Sequence, residues 1–268
     1  MIASNLSSDG VLMFAKHVPA AVGPRPSTQV AAPTALGTPV FLSASQHEAA
    51  NDIRRILAER HVFAAVTGAP GLGKTAVLST VTAAQSGPPL RVIRIDHPDR
   101  VSVEQAMQTE QLIAQPAADA PNGCHTVLVV DDADRASAAL LRCLTRVAES
   151  SRMSRDGPQV ILAGRPGLWD RLSAEEFTPL RERIAVRPVL RPMTEEDARG
   201  FIKHLLNEPR KIFGQTLAGD AEREVLRLAD GRPERIGALV RSTLMLGDLQ
   251  TRPQLSVEMV RTTADMGF

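Results

Sequence analysis

Apolar positions along this chain fall into two kinds of stretch. Some are short and largely unbroken: 61–67 (HVFAAVT), 90–95 (LRVIRI), 125–130 (HTVLVV), 159–163 (QVILA) and 184–190 (IAVRPVL). Runs of this length predict strands covered on both faces. Others recur at helical spacing. Ala49, Ile53, Ile56 and Leu57 predict a helix over 43–60 with Ser45 as its cap, and further helices are expected up to about 84, over 102–115, 136–149 and near 168–172. This alternation predicts an α/β domain over 41–191, a parallel sheet of five strands sandwiched by helices. After Pro192 the pattern changes. A helix over 194–206 opens on an expected capping box of Thr194 and Asp197, and helices over 219–229, 233–246 and from Ser256 follow. No further strand is predicted, so 192–268 reads as a small all-helical subdomain. No internal repeat is present.

Residues 1–40 do not share these patterns. The stretch from Pro19 to Pro39 is rich in Pro, Ala, Gly, Ser and Thr. Such a segment buries too little apolar surface to offset its ordering entropy, and a flexible or partner-docking tail is expected. Composition narrows the function classes. The net charge of +1 supplies no global field toward nucleic acid or anionic membrane. Aromatics are 3% of the chain and Tyr is absent, which argues against a base-stacking single-strand binder. Cys124 and Cys143 are too few for a disulfide framework or a metal site, and the histidines lack paired-ligand spacing. A reducing cytoplasm is the expected compartment. No apolar run approaches the ~20 residues of a membrane span, and the N-terminus lacks a charged segment before its short apolar stretch.

Candidate chemistry sits between the first predicted strand and the helix after it. Gly68-Ala69-Pro70-Gly71-Leu72-Gly73-Lys74-Thr75 fits G-x-x-x-x-G-K-[ST] in full. Glycines at these places let the backbone wrap an anion, with N–H groups turned inward at a helix N-terminus. Lys74 would reach the β and γ phosphates, the Thr75 hydroxyl would ligate Mg²⁺, and Ala76 completes the candidate binding set. Between Lys16 and Lys203 the only lysine is Lys74, so a compact ammonium occurs where this chemistry needs one. Asp131-Asp132 ends the third predicted strand, where ligands collect in open α/β sheets. Asp131 suits the Mg²⁺ shell, and Asp132 takes the place of the group that orients attacking water. Either acid could instead simply end its strand and cap the next helix.

With these motifs, VLVVDDAD, and the succession QVILAGRPGLWDRL…LRERIAVRPVLRPMTEEDARGFIKHLL…ADGRPERIGAL, residues 40–247 resemble the AAA+ ATPases of the general secretion pathway protein A (ExeA) group, with transposition-regulator ATPases nearby. The resemblance implies a P-loop NTPase fold, a nucleotide cleft between sheet domain and lid, ATP and Mg²⁺ as cofactors, and assembly into a ring or filament completed by neighbouring subunits. It places Arg165 where the family usually has a polar sensor after the fourth strand. It makes Arg181 or Arg183 an arginine finger acting on the next subunit; pairing with Glu176 or Glu182 is the plainer alternative. It implies that Asp132, standing where most relatives have Glu, slows hydrolysis. The family's lid arginine follows Pro directly; here Glu234 stands there, and Arg232 or Arg235 is the substitute, with Arg235 taken as the candidate nucleotide contact. Longer members add a membrane span and a wall-binding domain. The expected role is an ATP-driven motor or switch on an unknown protein partner in secretion or envelope assembly. The alternatives are an ATP-dependent DNA-coating scaffold, with Lys203, Arg210, Lys211, Arg223 and Arg227 as a phosphate stripe, or a non-hydrolysing adaptor. DNA is the less favoured partner, given the near-neutral charge.

Overall fold

The computed structural model describes residues 27–31, 40–60, 63–83, 90–114, 125–150, 157–207 and 215–267. Most of the expected tail, the 116–123 loop, Cys124, Arg210 and Lys211 lie outside these residues. In chain order the sheet domain comprises β1 (Ser27–Ala31), α1 (Ala44–Ala58), β2 (Phe63–Thr67), α2 (Lys74–Ala83), β3 (Leu90–Ile95), α3 (Val103–Ala114), β4 (His125–Val130), α4 (Ala138–Ser150), β5 (Gln159–Gly164), α5 (Leu168–Leu172), α6 (Thr178–Arg183) and β6 (Ile184–Val186). The C-terminal region holds α7 (Glu195–Leu206), β7 (Thr216–Leu217), α8 (Gly219–Ala229), α9 (Pro233–Leu249), β8 (Gln254–Leu255) and α10 (Val257–Asp265).

Five parallel strands run in the order β3-β4-β5-β2-β6. Chain direction across the sheet reverses beside β2, which puts the loop after β2 at a topological switch point. Side chains alternate between two cores, as period-two pleating requires. From β2, Phe63 and Ala65 enter one core with Leu128, Val130, Leu140 and Leu144. Ala64 and Val66 enter the other, with Ile53, Val77, Leu78 and Ile161. Burial on both faces explains why these strands read as unbroken apolar runs.

Four expectations need correction. The sheet has a sixth strand: β1 pairs antiparallel with β3, Ser27 opposite Arg94 and Ala31 opposite Leu90. It comes from the stretch assigned to a tail, because an edge strand is held by ladder hydrogen bonds, which composition does not report. The cap of α1 is Ser43, in a reciprocal box with Gln46, whereas the Ser45 hydroxyl accepts from the Arg191 N–H at 3.0 Å. Thr194 does cap α7, but the Asp197 carboxylate turns away to accept from the Ala44 N–H at 3.2 Å. The C-terminal region contains the short parallel pair β7–β8 beside its helices.

That region has its own core of Ile202, Val225, Ile236, Val240 and Val260. It joins the sheet domain through the Asp197–Ala44 bond, a Phe41–Phe201 ring contact at 5.4 Å, and the Glu234 N–H donating to Gly71 O at 3.2 Å.

Candidate nucleotide-binding site

The segment 68–73 leaves β2 and turns directly into α2. Gly71 and Gly73 take φ of +79° and +81°, left-handed values that favour glycine. A Cβ on Gly73 would collide with the side-chain nitrogen of Gln46. The loop is therefore pressed against α1 from behind. Gln46, 2% exposed, donates from Nε2 to Leu72 O at 2.8 Å and accepts from the Ser43 N–H at 2.9 Å. Gly68 N–H donates to Gly164 O at 3.2 Å, which fixes the loop's start beside the end of β5. Ala76 packs toward the α1–α2 core.

Lys74 opens α2 and is almost wholly buried. Its ammonium curls onto its own loop, donating to Gly68 O at 2.9 Å and Ala69 O at 3.1 Å. Burial holds its pKa below the ordinary lysine value; Asp132, Asp131 and Asp134 pull it back up, and Arg165 lowers it further. An added polyphosphate would bring further negative charge to this partly desolvated ammonium.

Opposite Lys74, β4 ends in Asp131 and Asp132. Thr75 Oγ1 donates to Asp131 Oδ2 at 2.7 Å, joining the phosphate loop to the acidic strand end. Asp131 Oδ1 accepts from the Asp132 N–H at 3.0 Å. Asp132 has φ 49° and ψ 38°, a left-handed conformation that Asp tolerates better than most residues. Strain of this kind persists where the surroundings enforce it, often at functional sites. Asp134 locks the ends of β4 and β5 together: its Oδ1 accepts from the Arg165 N–H at 2.8 Å, and its main-chain oxygen accepts from Arg171 at 2.8 Å.

These groups surround a cavity of about 560 Å³ lined by Pro70, Gly71, Gly73, Lys74, Thr75, Asp131, Asp132, Arg165, Pro233 and Glu234. Its size suits a nucleotide-sized ligand. Hard oxygens of Thr75 and Asp131 side by side fit Mg²⁺, which takes few protein ligands and completes its octahedron with water and phosphate oxygens.

The remaining sequence candidates divide. Arg165 lines the cavity with an exposed side chain and is in no ion pair with Asp131 or Asp132. Arg181 and Arg183 do not line it. Arg181 donates to Leu172 O at 3.2 Å and Ser173 O at 3.3 Å, and Arg183 donates to Ala148 O at 3.3 Å. Glu176 pairs instead with Arg142, at 2.9 Å. Arg235 is exposed on α9 and is not among the lining residues; its helix contributes Pro233 and Glu234 in its stead. Gln46, Asp134 and Glu234 are the residues that sequence reasoning missed. Gln46 had a signal, its place three residues after a Ser at a helix start. Glu234 had one too, read only as the loss of an arginine.

Loop, lysine and acidic strand end, set at the switch point of a parallel sheet, define a P-loop nucleoside triphosphatase fold. The family model for AAA, the ATPase family associated with various cellular activities, matches residues 64–162. Among solved structures, RuvB of Thermotoga maritima, a Holliday junction branch migration motor, superposes with a TM-score of 0.60 at 17% identity over 82% of this chain and 68% of that one. The Aeropyrum pernix ORC1 protein, solved in complex with DNA, gives 0.64 at 15% identity over 85% and 66%. ORC2 of the same organism, in its ADPNP–ADP complexes, gives 0.64 at 14% over 86% and 69%. The chain thus spans about two thirds of the length of these neighbours. At such identities the likeness is one of fold, and that fold is AAA+: a five-stranded parallel sheet with flanking helices and a helical C-terminal region. No curated protein sequence matches the chain. No described helix is long and apolar enough to cross a membrane.

Proposed function

We propose that this protein binds ATP with Mg²⁺ in the cleft between sheet and lid, hydrolyses it, and uses the cycle as an oligomeric motor or switch on a protein partner. The observation that carries this reading is the Thr75–Asp131 bond at 2.7 Å beside a nearly buried Lys74. Two loops far apart in sequence present the oxygens and the ammonium that a metal-bound triphosphate requires. When bound, Mg²⁺ supplies charge neutralisation on the phosphate oxygens. Lys74 releases its two main-chain acceptors and turns its ammonium to the terminal phosphates. Asp132 accepts a hydrogen bond from water and orients it. Its side chain is one methylene shorter than Glu, so hydrolysis is slow. Arg165 faces the same space. Arg181 or Arg183 acts on the nucleotide of a neighbouring copy, which accords with their lying away from their own cleft. A role in secretion or envelope assembly follows from the likeness to the ExeA group, and the expected compartment is the cytoplasm.

The test is phosphate release together with particle size, with and without a non-hydrolysable ATP analogue. Wild type is expected to release phosphate and to form rings or filaments with nucleotide, and Lys74→Ala to do neither. Bound ATP with no release from either protein would favour the adaptor. The DNA-coating alternative draws support from two of the neighbours, a Holliday junction branch migration motor and an ORC1 protein solved in complex with DNA, yet Arg227 of the expected stripe is paired with Glu224 at 2.9 Å. ATP-dependent, salt-sensitive retention on duplex DNA would restore that alternative.

A further inference from the structure

Glu234 is the one lid carboxylate among the described residues that line the nucleotide cleft. Its N–H donates to Gly71 O at 3.2 Å, so the first turn of α9 lies on the phosphate loop. Its carboxylate stands over the same residue: a Cβ on Gly71 would come within 2.7 Å of Glu234 Oε2. The position is also the first turn of a 17-residue helix, whose positive end attracts anions. The chain has placed its own anion there. An incoming phosphate must share the loop and this helix end with a fixed negative charge.

The other charges sharpen the conflict. Lys74 and Arg165 face Asp131, Asp132 and Glu234 across the cleft, so the lining as a whole is not cationic. Metal-free ATP carries about four negative charges at neutral pH and its Mg²⁺ complex about two, so the free form meets more repulsion. We infer that Glu234 is a lid-borne electrostatic gate that rejects metal-free polyphosphates and makes nucleotide binding depend on a divalent cation. The inference rests on the nucleotide reading above and assigns a specificity-determining role to a residue that touches the phosphate loop.

The experiment compares ATP affinity of wild type and Glu234→Gln, by calorimetry, in excess EDTA and in excess MgCl₂. The amide keeps the shape and the main-chain bond to Gly71 and removes only the charge. In EDTA at low salt, Glu234→Gln is expected to bind about tenfold more tightly than wild type, a like-charge effect of ordinary size. In MgCl₂ the gain should shrink to about threefold or less, and high salt should erode it in both. Glu234→Asp, which keeps the charge, should retain the metal requirement. Unchanged or weaker binding of Glu234→Gln in EDTA overturns the gate and leaves the nucleotide site standing. Absence of binding by both proteins in both buffers overturns the nucleotide reading and the gate with it.

Discussion

Asp132 combines two demands at one residue. Its backbone is left-handed, with φ 49°, and its side chain borders the cleft. These demands separate by substitution. Asn tolerates this backbone nearly as well as Asp, so Asp132→Asn should keep its folding free energy within about 0.5 kcal/mol of wild type. It should still bind ATP, while phosphate release falls on the order of 100-fold through loss of the water-orienting carboxylate. Asp132→Val should instead lose about 1–2 kcal/mol, because a β-branched side chain opposes that conformation. Denaturant titration reads the first quantity and phosphate release the second. Full activity in Asp132→Asn would remove Asp132 from the mechanism. At this scale the sequence was informative about identity and silent about conformation. VVDDAD showed which acids end the strand, but not that the second is left-handed or that Asp134 ties to the end of β5 at 2.8 Å.

Among the elements, α1 is the junction between phosphate loop and lid. Its N-terminal turn receives Asp197 from α7 at 3.2 Å and, through Gln46, holds Leu72 O at 2.8 Å. Ser45 in the same turn accepts from the Arg191 N–H at 3.0 Å. These bonds connect α7, through the first turn of α1, to the backbone that would cradle phosphate. Gln46→Ala leaves the Leu72 carbonyl and the Ser43 N–H without these partners in a buried place. It should destabilise the protein by about 1–3 kcal/mol and weaken ATP binding, although Gln46 is not among the cleft-lining residues. Chemical denaturation and calorimetry check the two effects; wild-type affinity in Gln46→Ala would show that the loop holds its shape unaided. The helix itself was legible from Ala49, Ile53, Ile56 and Leu57. The capping choice was not, because Ser43 and Ser45 are chemically alike and only the fold brings the Arg191 N–H to the Ser45 hydroxyl.

Across the whole molecule, the lid carries an acid-sensitive tie. Glu224 on α8 accepts from Arg227 at 2.9 Å and from Arg261 on α10 at 2.9 Å. These hydrogen bonds, with Arg227 first and Arg261 second, hold its carboxyl at about 2 against an ordinary value of 4.5. A depressed carboxyl stabilises the fold fully above the unfolded value and ceases to do so as pH falls through the folded one. The contribution of Glu224 is therefore lost between about pH 4.5 and about pH 2. Thermal unfolding across this window should show a steeper loss of stability in wild type than in Glu224→Gln, with salt reducing the difference, since both arginines are largely exposed. Equal slopes would show that the tie adds nothing to the lid.

What the amino-acid sequence determined by itself is the five parallel strands, most of the helices and the residues of the phosphate loop. Buried strands leave unbroken apolar runs, helices leave a 3.6-residue rhythm, and a backbone nest needs glycines at fixed spacing within eight neighbouring residues. All of these are local. The tertiary structure alone decided what meets across distance: that Ser27–Ala31 adds an edge strand, that Thr75 reaches Asp131, and that α9 offers Glu234 and not Arg235 to the cleft. Each of these depends on strand order and on the angle at which the lid docks. Those are set by the packing of three separate cores, which no single stretch of the chain encodes.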